Sequence, residues 1–304
     1  MPISGAGAER RPMPALGSCI APGAEFGFDM AFEFPSLLDH GLDRAAAVLT
    51  RGFSDYFVPI TSSPAVLVQM ARTDSVDLAA SRVFLRDGVA VGAALIARRG
   101  WTSRLAGMAI VPEARRTGVG RSAVMHLLAE ARTRGDRAMV LEVIEQNTAG
   151  VALYESCGFR KVRRLVGFAG PGARDGNVPS GLIEVDLREM AEIVTHDGLR
   201  DLPWQLSGET LAQLTPPNIA FRLNGSWVAL SDPDAPVITI RGLITEHLVQ
   251  GQGRAATLLR AVMAKYPGKD WRLSSIWPEE LAEVISQSGL DRTPLTQWQM
   301  EAVL

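Results

Sequence analysis

The run Ile110-Val111-Pro112-Glu113-Ala114-Arg115-Arg116-Thr117-Gly118-Val119-Gly120-Arg121 decides how this chain is read. An apolar strand ends in it, a basic turn follows, two glycines open the backbone and a helix begins. Unpaired N–H groups at a helix start, backed by the positive end of the helix dipole, form an anion site. Glycine lets the main chain approach phosphate oxygens with no Cβ in the way. Arg115, Arg116 and Arg121 add positive charge at the same place. The segment is therefore predicted to hold a pyrophosphate.

Outward from this loop the chain alternates strands and helices. Leu37 to Arg51 and Pro64 to Arg72 have helical spacing of apolar residues, and Phe53 to Pro59 is aromatic and turn-like. Arg82 to Leu85 and Ala90 to Ala97 are strands joined by Asp87-Gly88, a hairpin signal, and Ser103 to Val111 is a third strand. Ser122 to Arg134 is an amphipathic helix stopped by Gly135, and Ala138 to Ile144 is a buried strand. Asn147 caps a short helix ending near Gly158. Arg160 to Phe168 and Leu182 to Leu187 close this half as strands, with a Gly/Pro-rich loop, Gly170 to Gly181, between them.

The second half repeats the order. Ile219 to Leu223 and Ser226 to Leu230 form a hairpin about Asn224-Gly225, and Val237 to Ile244 is a strand. Gln250-Gly251-Gln252-Gly253-Arg254 opens a helix, Asp270 to Ile276 is a strand, and Glu279 to Ser288 is a short helix. Gly251 and Gly253 each stand 133 residues after Gly118 and Gly120. This reads as two tandem copies of one α/β unit: a tail over residues 1–30, an N-terminal domain over 31–190 and a C-terminal domain over 200–304, joined around Glu189 to Asp201.

Composition narrows the function. The 304 residues carry a formal net charge of −2, which offers no general attraction to nucleic acid. No stretch approaches the ~18 apolar residues of a membrane span. The start lacks the apolar core of a secretory signal, and Met30 is a second possible start. Two cysteines, Cys19 and Cys157, and four scattered histidines suggest neither a disulfide nor a metal site. His126 reads as a packed or solvated helix residue. A cytoplasmic location is expected.

Gly118-Val119-Gly120-Arg121-Ser122-Ala123 also satisfies the dinucleotide fingerprint, with Glu142 placed as the ribose acid. Geometry argues against it, because six residues, Pro112 to Thr117, separate strand and first glycine. Arg115-Arg116-Thr117-Gly118-Val119-Gly120 instead resembles motif A of the GNAT superfamily of N-acetyltransferases, [Gln/Arg]-x-x-Gly-x-[Gly/Ala]. Met108 to Pro112 matches that family's fourth strand, and Asn147 to Phe159 matches its motif N-x-x-A-x-x-x-Y-x-x-x-G-F. The resemblance covers Leu37 to Leu187 well and Leu199 to Leu304 faintly.

The resemblance implies an α/β (α+β) fold of two tandem GNAT-like domains. Each is a mixed, mostly antiparallel sheet flanked by helices, with splayed central strands. It implies acetyl-CoA as co-substrate, no metal, and direct transfer of acetyl to a primary amine of a small molecule or peptide. Neither nucleic acid nor membrane is an expected partner, and the protein is expected as a monomer or homodimer. Backbone groups of Ile110 and Val111 would hold the pantetheine and acetyl end. Arg115, Arg116, Thr117, Gly118, Val119, Gly120 and Arg121 would hold the diphosphate, and Asn147 and Tyr154 would meet the cofactor arm. The competing reading is a non-catalytic acyl-CoA-binding or regulatory module.

Amine acetylation needs a neutral nitrogen, although a free alkyl amine has a pKa near ~10.4, and it needs a proton for the departing thiolate. Tyr154 is the candidate general acid, on its place in the motif. The strand Arg104 to Val111 carries no carboxylate, so Glu142 is the nearest candidate base, acting directly or through water. The competing reading of Glu142 is an ion pair with a neighbouring arginine. Glu145 is expected in solvent; Asp55 and Tyr56 stand where the family often places its acceptor-side loop and could recognise the amine, an ordinary turn being the favoured reading; and Cys157 is expected as a small packing residue. In the second copy Leu248 stands for Arg115, Pro278 for Asn147 and Ile285 for Tyr154. That copy is predicted to be catalytically silent.

Overall fold

The glycine turn does what its sequence requires. Gly118 takes φ 89°, a left-handed conformation, and caps helix α4 (Val119–Arg134). Gly135, at φ 85°, ends the helix. The stripe Val119, Ala123, Val124, Leu127, Leu128 and Ala131 is buried. The helix begins three residues earlier than the apolar pattern suggests, because the left-handed cap sits at Gly118 rather than further along.

In this computed structural model the described residues are 32–172 and 177–304. The expected tail, Cys19 and Met30, and part of the expected loop over 170–181, lie outside them. The first half runs β1 (Phe32–Glu33), α1 (Leu37–His40), α2 (Leu42–Gly52), α3 (Pro64–Thr73), β2 (Arg82–Arg86), β3 (Val89–Arg99) and β4 (Thr102–Ile110). After α4 come β5 (Ala138–Ile144), α5 (Thr148–Ser156) and β6 (Arg160–Pro171). Gly41, at φ 93°, splits the helix expected over Leu37 to Arg51 into α1 and α2. The second half runs β7 (Ile183–Val185), α6 (Leu187–Asp197), α7 (Gly208–Leu211), β8 (Ile219–Leu223), β9 (Ser226–Leu230) and β10 (Val237–Thr245). It continues through α8 (Arg254–Lys265), β11 (Asp270–Pro278), α9 (Ala282–Ser286), β12 (Asp291–Arg292) and β13 (Gln297–Val303).

The thirteen strands of the described residues form one sheet, ordered β1-β2-β3-β4-β5-β13-β6-β11-β10-β9-β8-β7, with β12 against β6. The halves exchange strands. β13, the last element of the chain, lies between β5 and β6, pairing Gln297 with Ile144 and Val303 with Ala138. β6 pairs with β11 of the second half. Burial follows the exchange. Met300 and Ala302 of β13 join the core of the first half, while Val166 and Phe168 of β6 join that of the second. Each half thus supplies the other with one apolar strand face.

Two expectations need correction. Leu182 to Leu187 does not close the first half. Ile183–Val185 pairs with Arg222–Ala220, so it opens the second half, where the unpaired edge of the β8–β9 hairpin is available. The join expected over Glu189 to Asp201 is largely helix α6, whose Met190, Ala191 and Val194 pack on Ala220, Trp227 and Ala229.

Within each half the central strands are parallel and then diverge. β4 and β5 pair only over Thr102–Leu105 with Ala138–Leu141. β10 and β11 pair only over Val237–Thr239 with Asp270–Arg272. Between β5 and β11 every pairing (β5 with β13, β13 with β6, β6 with β11) is antiparallel. Three reversals leave β5 and β11 antiparallel, so the two gaps open in opposite directions, while the register sets Ile144 at the end of β5 level with Pro278 at the end of β11 through Gln297 and Leu165.

Candidate active site

The first gap is built from the end of β4, the glycine turn and α5. Among the described residues, no amide from Arg116 to Arg121 donates to a backbone carbonyl or a side chain. Six consecutive N–H groups at the start of α4 are thus without a protein partner among the described residues. A Cβ on Gly120 would sit 3.1 Å from Ile110 Cδ1 and 3.2 Å from Leu153 Cδ2, so the backbone is close-packed there. Arg116 itself holds φ 62°, a left-handed conformation rare for a residue with a Cβ.

The register between β3 and β4 sorts the groups at the strand end. Gly92 faces Ile110, and the Val111 amide donates to Val91 O at 3.0 Å. In an antiparallel ladder this turns the Ile110 N–H away from β3, toward the gap. Ile110 O accepts from Arg115 Nε at 3.1 Å. Val111 is fully engaged, since its carbonyl also accepts the Ala114 amide at 3.0 Å. Val111 was expected to offer backbone groups to a ligand; its amide is instead bonded to β3, and its carbonyl accepts from the turn over Pro112–Ala114.

The basic residues divide their work. Arg115 clamps the loop to the end of α2, reaching both Asp55 oxygens at 2.6 and 2.7 Å and Gly52 O at 3.0 Å. That guanidinium holds the Asp55 carboxyl below its ordinary value, chiefly by hydrogen bonding. Arg115 was expected at the diphosphate; its fork is spent on Asp55 instead. Arg121 ties α4 to α5 through Ser156 O at 3.1 Å and Ser156 Oγ at 2.9 Å. Thr117 Oγ1 donates to Ala114 O at 2.7 Å. Arg116 is exposed, and its side chain makes no hydrogen bond or ion pair among the described residues.

Across the gap, Asn147 caps α5 by accepting the Gly150 amide at 3.0 Å. Tyr56 lies near it: burial raises the Tyr56 phenol, and Asn147, as a hydrogen-bonding neighbour, offsets part of that. Tyr154 is buried with its ring edge-on to Phe159, centroids 5.8 Å apart. Burial, with Tyr56 and Cys157 nearby, pushes its phenol well above the ordinary value, so it keeps its proton at neutral pH.

Glu142 follows the last parallel pair, Leu105 with Leu141, where the strands begin to part. Its Oε2 is ion-paired with Arg104 at 2.7 Å, with the two side chains 4% and 6% exposed. Of the two readings open from sequence, the ion pair is the one seen. Glu142 Oε1 has no partner among the described residues. Its cross-strand neighbour on β13 is Gln299, whose Nε2 donates to Asp201 O at 3.1 Å.

One part of the site has no signal in local sequence. The approach to β13 seats on the end of β5. The Glu145 amide donates to Thr296 O at 2.9 Å, and Gln146 Nε2 to Pro294 O at 3.1 Å. Glu145, expected in solvent, is held by Thr296 Oγ1 at 2.5 Å and Arg164 Nε at 2.8 Å, and these lower its carboxyl, the hydroxyl most. Arg164 continues to Glu279 at 3.5 Å, which also pairs with Arg292. Residues from the second half therefore border the first gap. His126 stacks on Phe34, centroids 4.3 Å apart, as a packing residue. Among the described residues no cluster of His, Cys, Asp and Glu suits a metal, and no helix is long and apolar enough to cross a membrane.

Comparison with known proteins agrees with this geometry. Residues 53–159 match the sequence model of the Acetyltransferase (GNAT) family. A 54-residue stretch, 18% of the chain, is 44% identical to 36% of a [Ribosomal protein bS18]-alanine N-acetyltransferase from Salmonella typhimurium. A 50-residue stretch, 16% of the chain, is 50% identical to 17% of a mycothiol acetyltransferase from Thermobispora bispora. The matched stretches thus span only about a third or less of those relatives. Among solved structures, a GCN5-related N-acetyltransferase from Sphaerobacter thermophilus aligns at TM-score 0.65 with 16% identity, over 90% of this chain and 95% of that one. A tandem GNAT protein from the clavulanic acid biosynthesis pathway aligns at TM-score 0.62 with 15% identity, over 90% and 98%. Residues 53–159 thus match the GNAT acetyltransferase family model, and the chain as a whole shares the fold of the tandem GNAT protein.

Proposed function

We propose that this protein is an acetyl-CoA-dependent N-acetyltransferase whose first half transfers acetyl directly to a primary amine. The observation that carries this reading is the row of free amides from Arg116 to Arg121 beside a parted strand pair. They fit a diphosphate: the donors are consecutive at a helix start, a Cβ on Gly120 would crowd Ile110 and Leu153, and Arg116 adds an unengaged charge. When bound, acetyl-CoA supplies the thioester whose carbonyl the amine attacks.

The chain's own residues do the rest. The Ile110 N–H, turned into the gap, donates to the carbonyl oxygen as negative charge gathers there. Tyr154, protonated in its buried setting, gives its hydrogen bond and then its proton to the sulfur as the C–S bond breaks. Asn147 fixes the start of α5 and with it the placement of Tyr154. Glu142 neutralises Arg104 through Oε2, and Oε1 accepts the proton of the attacking amine through a water.

The relatives' names point to different acceptors, so the acceptor is an amine of a small molecule or peptide. The Glu145–Arg164–Glu279 row and the Asp55–Tyr56 loop flank its approach. Exchange of β6 and β13 within one chain supports a monomer, because each half already has its partner strand.

Steady-state thiol release with a panel of primary amines tests the reading. Turnover with at least one amine is expected. Saturable acetyl-CoA binding without turnover on any amine would make the protein a binding module. Tyr154→Phe is expected to lower kcat about tenfold with cofactor affinity kept, as for loss of one acid. An unchanged kcat removes Tyr154 from the chemistry.

A further inference from the structure

The second half has its own gap, and its lining differs in kind. β10 and β11 part after Thr239 and Arg272, and a cavity of about 440 Å3 opens between them. That volume lies within the ~300–1,000 Å3 usual for small-molecule sites. The walls are mainly apolar, with Leu202, Leu206, Leu243, Trp277, Val284 and Ile285 among them. Ile285 and Trp277 are 0% and 1% exposed, and the Trp277 indole N–H has no acceptor among the described residues.

Two helix ends of opposite polarity meet this cavity. On one side is the start of α8: Gly251, Gly253, Arg254 and Ala255 line it, and no amide from Gly251 to Ala255 is bonded among the described residues. On the other side is the end of α6, where Val194, Asp197 and Leu199 line it. A helix start attracts negative charge and a helix end attracts positive charge. Asp197 reinforces the negative wall. It accepts the His247 amide at 2.9 Å and pairs with His196, and an ionised carboxylate keeps further acceptor capacity. Glu283 adds a second carboxylate to the lining.

A diphosphate is a poor match here. Arg254 spends its guanidinium on Gln252 Oε1, at 3.1 and 2.8 Å, and on Asn224 O at 2.7 Å. Asp197 and Glu283 would repel a polyanion. Uniformly apolar ligands match the walls but leave both poles unused.

We propose that this cavity binds a small apolar zwitterion, a hydrophobic α-amino acid or dipeptide. Its carboxylate lies at the α8 amides, its ammonium at Asp197 and the end of α6, and its side chain against Leu243, Ile285 and Trp277. The site lies between β10 and β11, separate from the acetyl-transfer gap between β4 and β5, which opens in the opposite direction.

Calorimetric titration of the full chain with L-phenylalanine and L-leucyl-L-leucine tests this. Saturable binding at one site per chain is expected, with N-acetyl-L-phenylalanine and phenethylamine each at least about tenfold weaker because each lacks one pole. Asp197→Asn keeps an acceptor for the His247 amide and removes the charge, and it is expected to weaken L-phenylalanine by about the same factor. Val284→Trp fills the cavity and is expected to abolish binding. In both variants the thermal melt and the acetyl-CoA titration serve as folding controls. The Trp277 indole resonance, assigned by its loss in Trp277→Phe, is expected to move on saturation. Absence of saturable binding by either zwitterion overturns the proposal. So does equal binding of the one-pole analogues, or acetyl-CoA filling two sites per chain with L-phenylalanine displaced.

Discussion

The two glycine turns share a backbone and differ in charge. Gly118 and Gly253 both adopt left-handed conformations, at φ 89° and 67°, and both cap the helix that follows. Both helices leave their first amides unbonded among the described residues, and both stand beside a parallel strand pair that parts. Around the first lie Arg116, Asn147 and a buried, protonated Tyr154. Around the second lie Leu248, Pro278, Ile285 and the carboxylate of Asp197. A left-handed cap and a parted strand pair are demands of the fold, so both halves keep them. Side chains facing the gap carry no such duty, and there the halves differ.

The comparison is broken most severely by removing residues 297–304. If strand exchange joins the halves, the first half loses Met300, Ala302 and the strand between β5 and β6. The cost approaches the whole stability of a domain, ~5–15 kcal/mol. Circular dichroism on heating should show loss of the cooperative transition. An unchanged melting temperature with acetyl-CoA binding intact would show that the exchange does not hold the halves together.

Next in size is Glu142→Gln, which leaves Arg104 buried without its counter-charge and should cost about 3 kcal/mol in urea unfolding. The double change Glu142→Met with Arg104→Leu should recover most of that loss. A stable Glu142→Gln protein with an altered pH profile would instead favour the proton-transfer role over the structural one.

The turns themselves can be set against each other. Gly120→Val should lower acetyl-CoA affinity about 100-fold, or ~2.7 kcal/mol, by holding the diphosphate off the amides. Gly253→Val, at a distant and independent site, should change it by less than about twofold. Equal losses at both positions would mean that the second half also holds the cofactor.

The smallest expected effect sharpens the role of Arg115. Asp55→Asn loosens an exposed clamp and should weaken acetyl-CoA binding only about threefold. Arg115 depresses the Asp55 carboxyl below its free value of 3.8. The clamp is therefore complete above that pH and is lost as pH falls through the lower folded value. Cofactor affinity of the parent protein should fall in that acid range, and the Asn variant should lack the transition.

Elements whose cause is local were legible from the chain alone. β5 spans Ala138–Ile144 as expected, Asn147 caps α5, and the glycine turn opens α4. In each, the deciding interaction lies within a few residues: a left-handed glycine, a side-chain cap, an apolar period. The places of Tyr154 and of the amide loop were legible for the same reason, since each lies in a contiguous motif.

Sequence by itself therefore determined the repeated α/β order, the two glycine-capped helices and the turn of free amides that opens the first of them. Only the tertiary structure decided that Ile144 pairs with Gln297, that Arg115 is spent on Asp55 while Arg116 is left unengaged, that Glu142 is tied to Arg104, and that the two gaps open in opposite directions. These depend on which strand edge and which charge are brought together across long stretches of chain. Burial and backbone pairing choose those partners, and no short window of sequence contains both of them.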